Sequence, residues 1–345
     1  MGQGLVVAAP NAFKGTASAP RAAAAIGHAC WEAGRDCVEL PMSDGGDGLI
    51  EVLGGANRVT TVTGPLGDPV EAAWLLRNGT AVIEMATASG LVVAGGAAGN
   101  DPIGASTTGT GELIDKALDA GATRIIVGLG GSATTDGGLG AVRAVTALAR
   151  TKRVELIGAC DVETTFVDAA ATFGPQKGAT SAHVQLLARR LERVAQMYTE
   201  EFAVDVRALP GGGAAGGLGG ALAALGGQLV SGVELVADEV DLFDHLDDAE
   251  LIITGEGQLD ATSFAGKVVG GLAEMALEAD VPCAAIVGDV VPGWRNDLED
   301  PARRAAAAHL EVVSLTELVG VERATAQPLD AIETAAKLIL DDARS

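Results

Sequence analysis

Short apolar runs punctuate the chain, and glycine-rich stretches follow several of them. Leu5–Ala9 is apolar throughout and reads as a buried strand. After the loop Pro10–Thr16, Ser18 offers an N-cap to an alanine-rich helix, with Pro20 in its first turn and Gly34 at its end. Cys37–Leu40 is a second short strand, and Gly48–Leu53 starts another helix beyond the next glycine stretch. Strand, loop, helix, strand, loop, helix is the unit of a parallel sheet covered by helices.

The period changes after residue 57. Arg58–Thr63 is β-branched, Gly64–Pro69 is a turn cluster, and Val70–Arg77 and Thr80–Ala86 flank the hairpin signal Asn78-Gly79. Helices are expected over Thr110–Ala120, Gly137–Ala149 and Ser181–Glu201, and strands over Arg124–Leu129 and Glu155–Ala159. Strands Glu250–Thr254, Cys283–Val287 and Leu310–Ser314 then restore the parallel type, with helices Lys267–Ala279 and Pro328–Asp342. The expected fold class is α/β with two α/β domains. Residues 1–64 and 258–345 would form one discontinuous parallel-sheet domain, and 65–257 an inserted domain with an antiparallel element. Ligands of open α/β sheets bind beyond the carboxyl ends of the strands.

Composition narrows the class. With 345 residues the chain is long enough for two domains, and one Tyr and three Trp leave the core to small aliphatics. A net charge of −23 argues against nucleic acid or an anionic membrane as partner. Cys30, Cys37, Cys160 and Cys283 show no metal-type spacing, and the four histidines form no zinc motif. With no basic leader and no uninterrupted apolar span, a cytoplasmic protein is expected, monomer or homodimer, acting on small molecules.

The chemistry concentrates where acids sit among glycines after apolar runs. Three segments have this form: Ser43–Gly48, Gly130–Gly138 and Gly255–Asp260. Glycine lets backbone approach a ligand, and a carboxylate there can hold Mg²⁺ or move a proton. Asp44 and Asp136 are candidate bases, although Asp136 could instead cap the helix after it. Asp47, Glu256 and Asp260 are candidate metal ligands, and Asp47 too could be a helix cap. Gly15, Gly45, Gly46, Gly255 and Gly257, with the hydroxyls of Ser132, Thr134 and Thr135, are candidate contacts to substrate or phosphate. Of six lysines, three adjoin glycine: Lys14, Lys177 and Lys267. A lysine on a tight loop can reach over a phosphate, so all three are candidate ligand contacts, with Lys14 and Lys267 the candidate catalytic cations. Gly211–Gly216 matches GxGxxG, but 48 glycines make one chance match expected. Carboxylates, hydroxyls and lysines without a Cys or His nucleophile suit Mg²⁺-dependent phosphoryl transfer, and suit hydride or acyl transfer poorly.

These segments, in this order, resemble the type-1 glycerate kinases of bacteria. The resemblance is carried by Ala9–Gly15, Ser43–Gly48, Ile83–Ala86, Thr108–Ile114, Gly130–Gly138, Ala159–Val162, Phe173–Gly178, Gly213–Gly219 and Ile252–Lys267. It implies ATP- and Mg²⁺-dependent phosphorylation of D-glycerate, to 2-phosphoglycerate in most bacterial members. It also implies a flavodoxin-like domain formed by both chain ends and an inserted domain of restriction-endonuclease-like topology, with the site in the cleft between them. Three departures stand out: Asn11 where the family usually has Asp, Asp47 for the more frequent Glu, and Thr165-Phe166 where Asn-Pro-Leu is usual. A kinase giving 3-phosphoglycerate, one for another small hydroxy acid, and a dinucleotide-dependent oxidoreductase using Gly211–Gly216 are the rival expectations.

Overall fold

A computed structural model describes residues 4–13 and 15–342, so Lys14 lies outside the described residues. The strands, in chain order, are β1 (Leu5–Ala8), β2 (Cys37–Glu39), β3 (Arg58–Thr63), β4 (Pro69–Arg77), β5 (Thr80–Glu84), β6 (Arg124–Gly128), β7 (Glu155–Ala159), β8 (Gln228–Val230), β9 (Ala249–Leu259), β10 (Cys283–Val290) and β11 (Leu310–Ser314). They divide between two compact units, residues up to Asp44 with Val233 onward, and Gly45–Gly232.

The first unit holds one five-stranded sheet in the order β2-β1-β9-β10-β11. All its pairings are parallel. Numbered within the unit, that is the 2-1-3-4-5 order of flavodoxin-like folds. Strands covered on both faces need no polar alternation, which is why Val6, Val7 and Ala8 are all buried. Helix Ala19–Glu32 packs Ala22, Ile26 and Ala29 in one core with Ile332, Ala335 and Ile339 of helix Pro328–Asp342.

The second unit holds a six-stranded mixed sheet, β3-β4-β5-β6-β7-β8. Its first two pairings are antiparallel and the rest parallel. The hairpin forms where expected: Asn78 (φ 50°) and Gly79 (φ 83°) are both left-handed, as a tight two-residue turn requires. Its core gathers Ile83, Leu113, Ile125, Val127, Leu191 and Tyr198.

Three elements differ from expectation. The expected seam at residue 64 separates β3 from the insert, yet β3 is the edge of the mixed sheet. The register from Arg58↔Trp74 to Thr63↔Pro69 makes it the partner of β4. β9 outruns its apolar core and pairs with β10 as far as Leu259↔Val290. Gly255, Glu256 and Gly257 are therefore strand residues rather than loop residues, and the expected seam at residue 257 falls inside a strand. The helix expected over Gly137–Ala149 is broken into Leu139–Ala144 and Leu148–Thr151. Left-handed Gly137 and Gly138 delay its start to Leu139, and the extended Val145 (ψ 106°) breaks it.

Candidate functional site

In the first unit, backbone hydrogen bonds stitch three segments together at the carboxyl edge of the sheet. Asn11 N–H donates to Gly255 C=O at 2.8 Å, and Met42 N–H to Pro10 C=O at 2.9 Å. The Thr254 hydroxyl donates to Ala9 C=O at 3.0 Å. A Cβ on Gly255 would lie 2.3 Å from Ile286 O and 3.0 Å from the Phe13 ring, so only glycine lets the strand pass there. Gly257 continues the strand, half-buried. Gly15 has a left-handed φ of 81° and is exposed.

Glu256 is only 7 % exposed, and its Oε1 has no hydrogen-bond partner among the described residues. Burial pushes its carboxyl up to about 7, against the Ser263 hydroxyl and the Lys267 charge, while Asp260 and Asp44 push it further up. The buried Glu256 carboxyl thus feels the charges of two other candidate acids. Asp44 is half-buried, and Ser43 beside it is buried, its hydroxyl without a partner among the described residues. Asp260 accepts from Thr262 N–H at 2.7 Å and caps the turn Ala261–Phe264. Burial opposes its charge, yet the Thr262 hydroxyl and amide and the Lys267 ammonium hold its carboxyl below the usual range. Lys267 Nζ donates to Thr262 Oγ1 at 2.7 Å.

In the second unit the glycines of two segments meet. A Cβ on Gly130 would lie 2.5 Å from Gly46 Cα, and one on Gly45 2.9 Å from Ala159 O. Asp47 is exposed, with Oδ1 3.0 Å from where a Gly131 Cβ would stand. It does not cap the helix after it. Glu84 does, its Oε1 accepting from Gly48 N–H at 3.1 Å and Ile50 N–H at 2.8 Å. Burial raises the Glu84 carboxyl above the usual range despite these donors, and Asp47 adds to the rise.

Asp136 is a clamp. Its Oδ2 accepts from Thr107 N–H and Oγ1–H, both at 2.9 Å, and from Gly140 N–H at 3.1 Å, and its Oδ1 from Gly138 N–H at 3.0 Å. It ties the glycine segment to the start of helix Thr108–Asp119. Thr134 donates to Ala215 C=O at 3.3 Å, and the Thr135 hydroxyl is buried with no partner among the described residues. Ser132 accepts from Lys177 Nζ at 2.7 Å. Gly211–Gly216 serves this same segment. Gly137 N–H donates to Gly216 C=O, and a Cβ on Gly216 would lie 2.0 Å from Thr134 O. The turns before this segment follow helix Ser181–Phe202 rather than a strand, and Ala215, Gly216 and Gly217 are left-handed, so it lacks the strand–turn–helix of a dinucleotide fingerprint.

Sequence reasoning missed Thr107, met Glu84 only inside the segment Ile83–Ala86, and read Lys177 as a ligand contact, whereas its ammonium is buried against Ser132 and Thr134. Thr107 acts across 29 residues of chain and Glu84 across 36, so no local spacing marks them. The glycine after Lys177 was the one available signal.

The fold is α/β, and each acid-and-glycine segment holds a buried polar atom with no partner among the described residues. The sequence model of the Glycerate kinase family matches residues 6–150 and 146–342. The chain is 40 % identical over 325 residues to glycerate 2-kinase of Escherichia coli (strain K12), covering 83 % of this chain and 85 % of that protein. It is 39 % identical to a glycerate kinase of Bacillus subtilis (strain 168), again with 83 % and 85 % covered. The crystal structure of a glycerate kinase 2 from Salmonella typhimurium LT2 superposes with a TM-score of 0.81 at 33 % identity, covering 99 % of this chain and 98 % of that one. This chain belongs to the glycerate kinase family, and it is a phosphotransferase. No helix among the described residues is long and apolar enough to cross a membrane.

Proposed function

We propose that the protein transfers the γ-phosphoryl group of ATP to the 2-hydroxyl of D-glycerate with Mg²⁺, giving 2-phosphoglycerate and ADP. The observation that carries this reading is the placement of unpartnered buried polar atoms. Ser43 Oγ, Thr135 Oγ1 and Glu256 Oε1 fall one in each acid-and-glycine segment. Leaving such a group unsatisfied costs about 1–3 kcal/mol, a cost that a ligand would relieve. The 40 % identity to a relative named glycerate 2-kinase supports the choice of hydroxyl.

Glu256 Oε1 also tests the fit to a metal. A buried carboxylate oxygen with no donor among the described residues, beside the charges of Asp260 and Asp44, is a ligand atom of the kind a hard cation takes. In this reading Glu256 and Asp260 hold Mg²⁺, and Asp47 is the weaker candidate because it is exposed. Bound there, the ion neutralises charge on the phosphate oxygens.

The chain's own residues do the rest. The 2-hydroxyl oxygen attacks the γ-phosphorus, the bond from that phosphorus to the bridging oxygen of ADP breaks, and the hydroxyl proton passes to a carboxylate. In this reading the proton passes to Asp44 rather than to Asp136, whose carboxylate already accepts from four donors. Lys14 and Lys267 stabilise the transferring phosphoryl group, and the hydroxyls and amides of Gly130–Gly138 orient the hydroxy acid.

³¹P NMR of the product from D-glycerate and ATP tests the reading. A doublet coupled to the single C2 proton is expected. A triplet from the C3 methylene would mean the 3-phosphate, and no phosphate ester from glycerate would overturn the assignment.

A further inference from the structure

Lys177 is 2 % exposed, which is unusual for a lysine. Its Nζ donates to Ser132 Oγ at 2.7 Å and to Thr134 C=O at 2.6 Å. Both acceptors lie in Gly130–Gly138. The backbone of Lys177 is held to the same segment: Asn100 Nδ2 donates to Lys177 C=O at 2.9 Å and to Ala133 C=O at 3.0 Å. Gly178, left-handed at φ 90°, ends the short turn that delivers the side chain, and a Cβ there would meet Ala97 O at 2.6 Å. The glycine beside Lys177 thus serves close packing.

A hydroxyl that accepts a hydrogen bond is left with its own proton to donate elsewhere. Lys177 Nζ is the hydrogen-bond partner of Ser132 Oγ among the described residues. We infer that Lys177 is a positioning residue: by donating to Ser132 Oγ and Thr134 C=O from behind the segment, it turns the Ser132 proton toward an anionic ligand oxygen. The ligand oxygen is a carboxylate or phosphate oxygen, supplied by either the hydroxy acid or the nucleotide. The inference rests on the reading that Gly130–Gly138 binds substrate.

The cost of the arrangement supports a functional role. Burial pulls the Lys177 ammonium down to about 7, with the Asp136 charge pulling the other way. A lysine kept there for packing alone would be better replaced by an apolar side chain of similar size.

The test is a double-mutant cycle on the full-length enzyme with Lys177→Met and Ser132→Ala. Steady-state kinetics are measured with D-glycerate and ATP varied in turn, and folding is followed by circular dichroism. Each single variant should stay folded and lose about 10- to 100-fold in kcat/KM, the worth of a hydrogen bond to a charged group. The double variant should lose no more than Lys177→Met alone, because both changes remove the same directed proton. Lys177→Gln, which keeps an N–H donor, should recover part of the loss. If the loss falls on the D-glycerate arm, the ligand oxygen is the hydroxy acid's; if on the ATP arm, it is a phosphate's. A folded Lys177→Met enzyme within about threefold of wild type, or losses that multiply in the double variant, would overturn the inference. Should Lys177→Met not fold, Lys177→Gln and Ser132→Ala decide it, and a Ser132→Ala enzyme of normal kcat/KM refutes it. A wild-type enzyme that does not phosphorylate glycerate would instead overturn the functional reading.

Discussion

Asp44 and Asp136 are both carboxylates beside glycine, and the contacts of Asp136 are those of a structural clamp. Asp136 receives two donors from Thr107 and two from the backbone amides of Gly138 and Gly140. Asp136→Asn turns one acceptor into a donor that faces donors, and should cost about 2–3 kcal/mol in a urea melt. Asp44→Asn should reduce kcat by orders of magnitude in steady-state assays. Near-normal turnover in Asp44→Asn would remove it as the base, and an unchanged melt in Asp136→Asn would remove the clamp. Lys177 gives a prediction of opposite sign. Its proton is held less tightly in the folded chain than in the unfolded one, so the unfolded state binds more protons between about pH 7 and the ordinary lysine value. The penalty is full below that window and fades as pH rises through it. Wild type should therefore gain stability relative to Lys177→Met between pH 7 and pH 9, where ordinary lysine is still charged. A difference that stays flat with pH would mean the ammonium is not desolvated.

Glu84 shows how one side chain completes an element that its own sequence leaves unfinished. The short helix Leu49–Val52 starts after a left-handed Gly48 with no side-chain cap of its own. Glu84 Oε1, at the end of β5, accepts two of its free amides instead. Glu84→Ala should lose about 1–2 kcal/mol of stability, whereas Glu84→Gln, which keeps a carbonyl oxygen, should lose far less. Equal losses in a chemical melt would show that the charge, rather than the acceptor, matters. The same contact marks the limit of what the chain reveals locally. The parallel strands were legible because buried strands are continuous apolar runs, and the hairpin because Asn78-Gly79 alone suits two left-handed residues. The extension of β9 through Gly255–Leu259 was hidden, because glycines that let it lie against β10 look like loop residues in a sequence. The acids were legible as a group, but their division into clamp, cap and unpartnered carboxyl depends on Thr107, Thr262 and burial, which tertiary packing supplies.

The net charge of −23 bears on the stability of the whole chain. Like charges repel in the folded state, and salt screens them with a Debye length of about 10 Å at 0.1 M. Raising KCl from about 10 mM to about 500 mM should therefore raise Tm by several degrees, and NaCl should do the same, since screening does not distinguish the two. MgCl₂ at matched ionic strength separates screening from binding. If Glu256 Oε1 is a ligand atom, Mg²⁺ adds stability as RT ln(1 + [L]/Kd), about 2.7 kcal/mol at a hundred times Kd. That increment should vanish in Glu256→Gln, while the KCl response persists. An increment that survives Glu256→Gln would place the cation elsewhere. A wild-type chain with no increment at all would show that the unpartnered carboxyl does not bind Mg²⁺ without nucleotide, and a repeat melt with ATP present would then decide whether the phosphates complete the site.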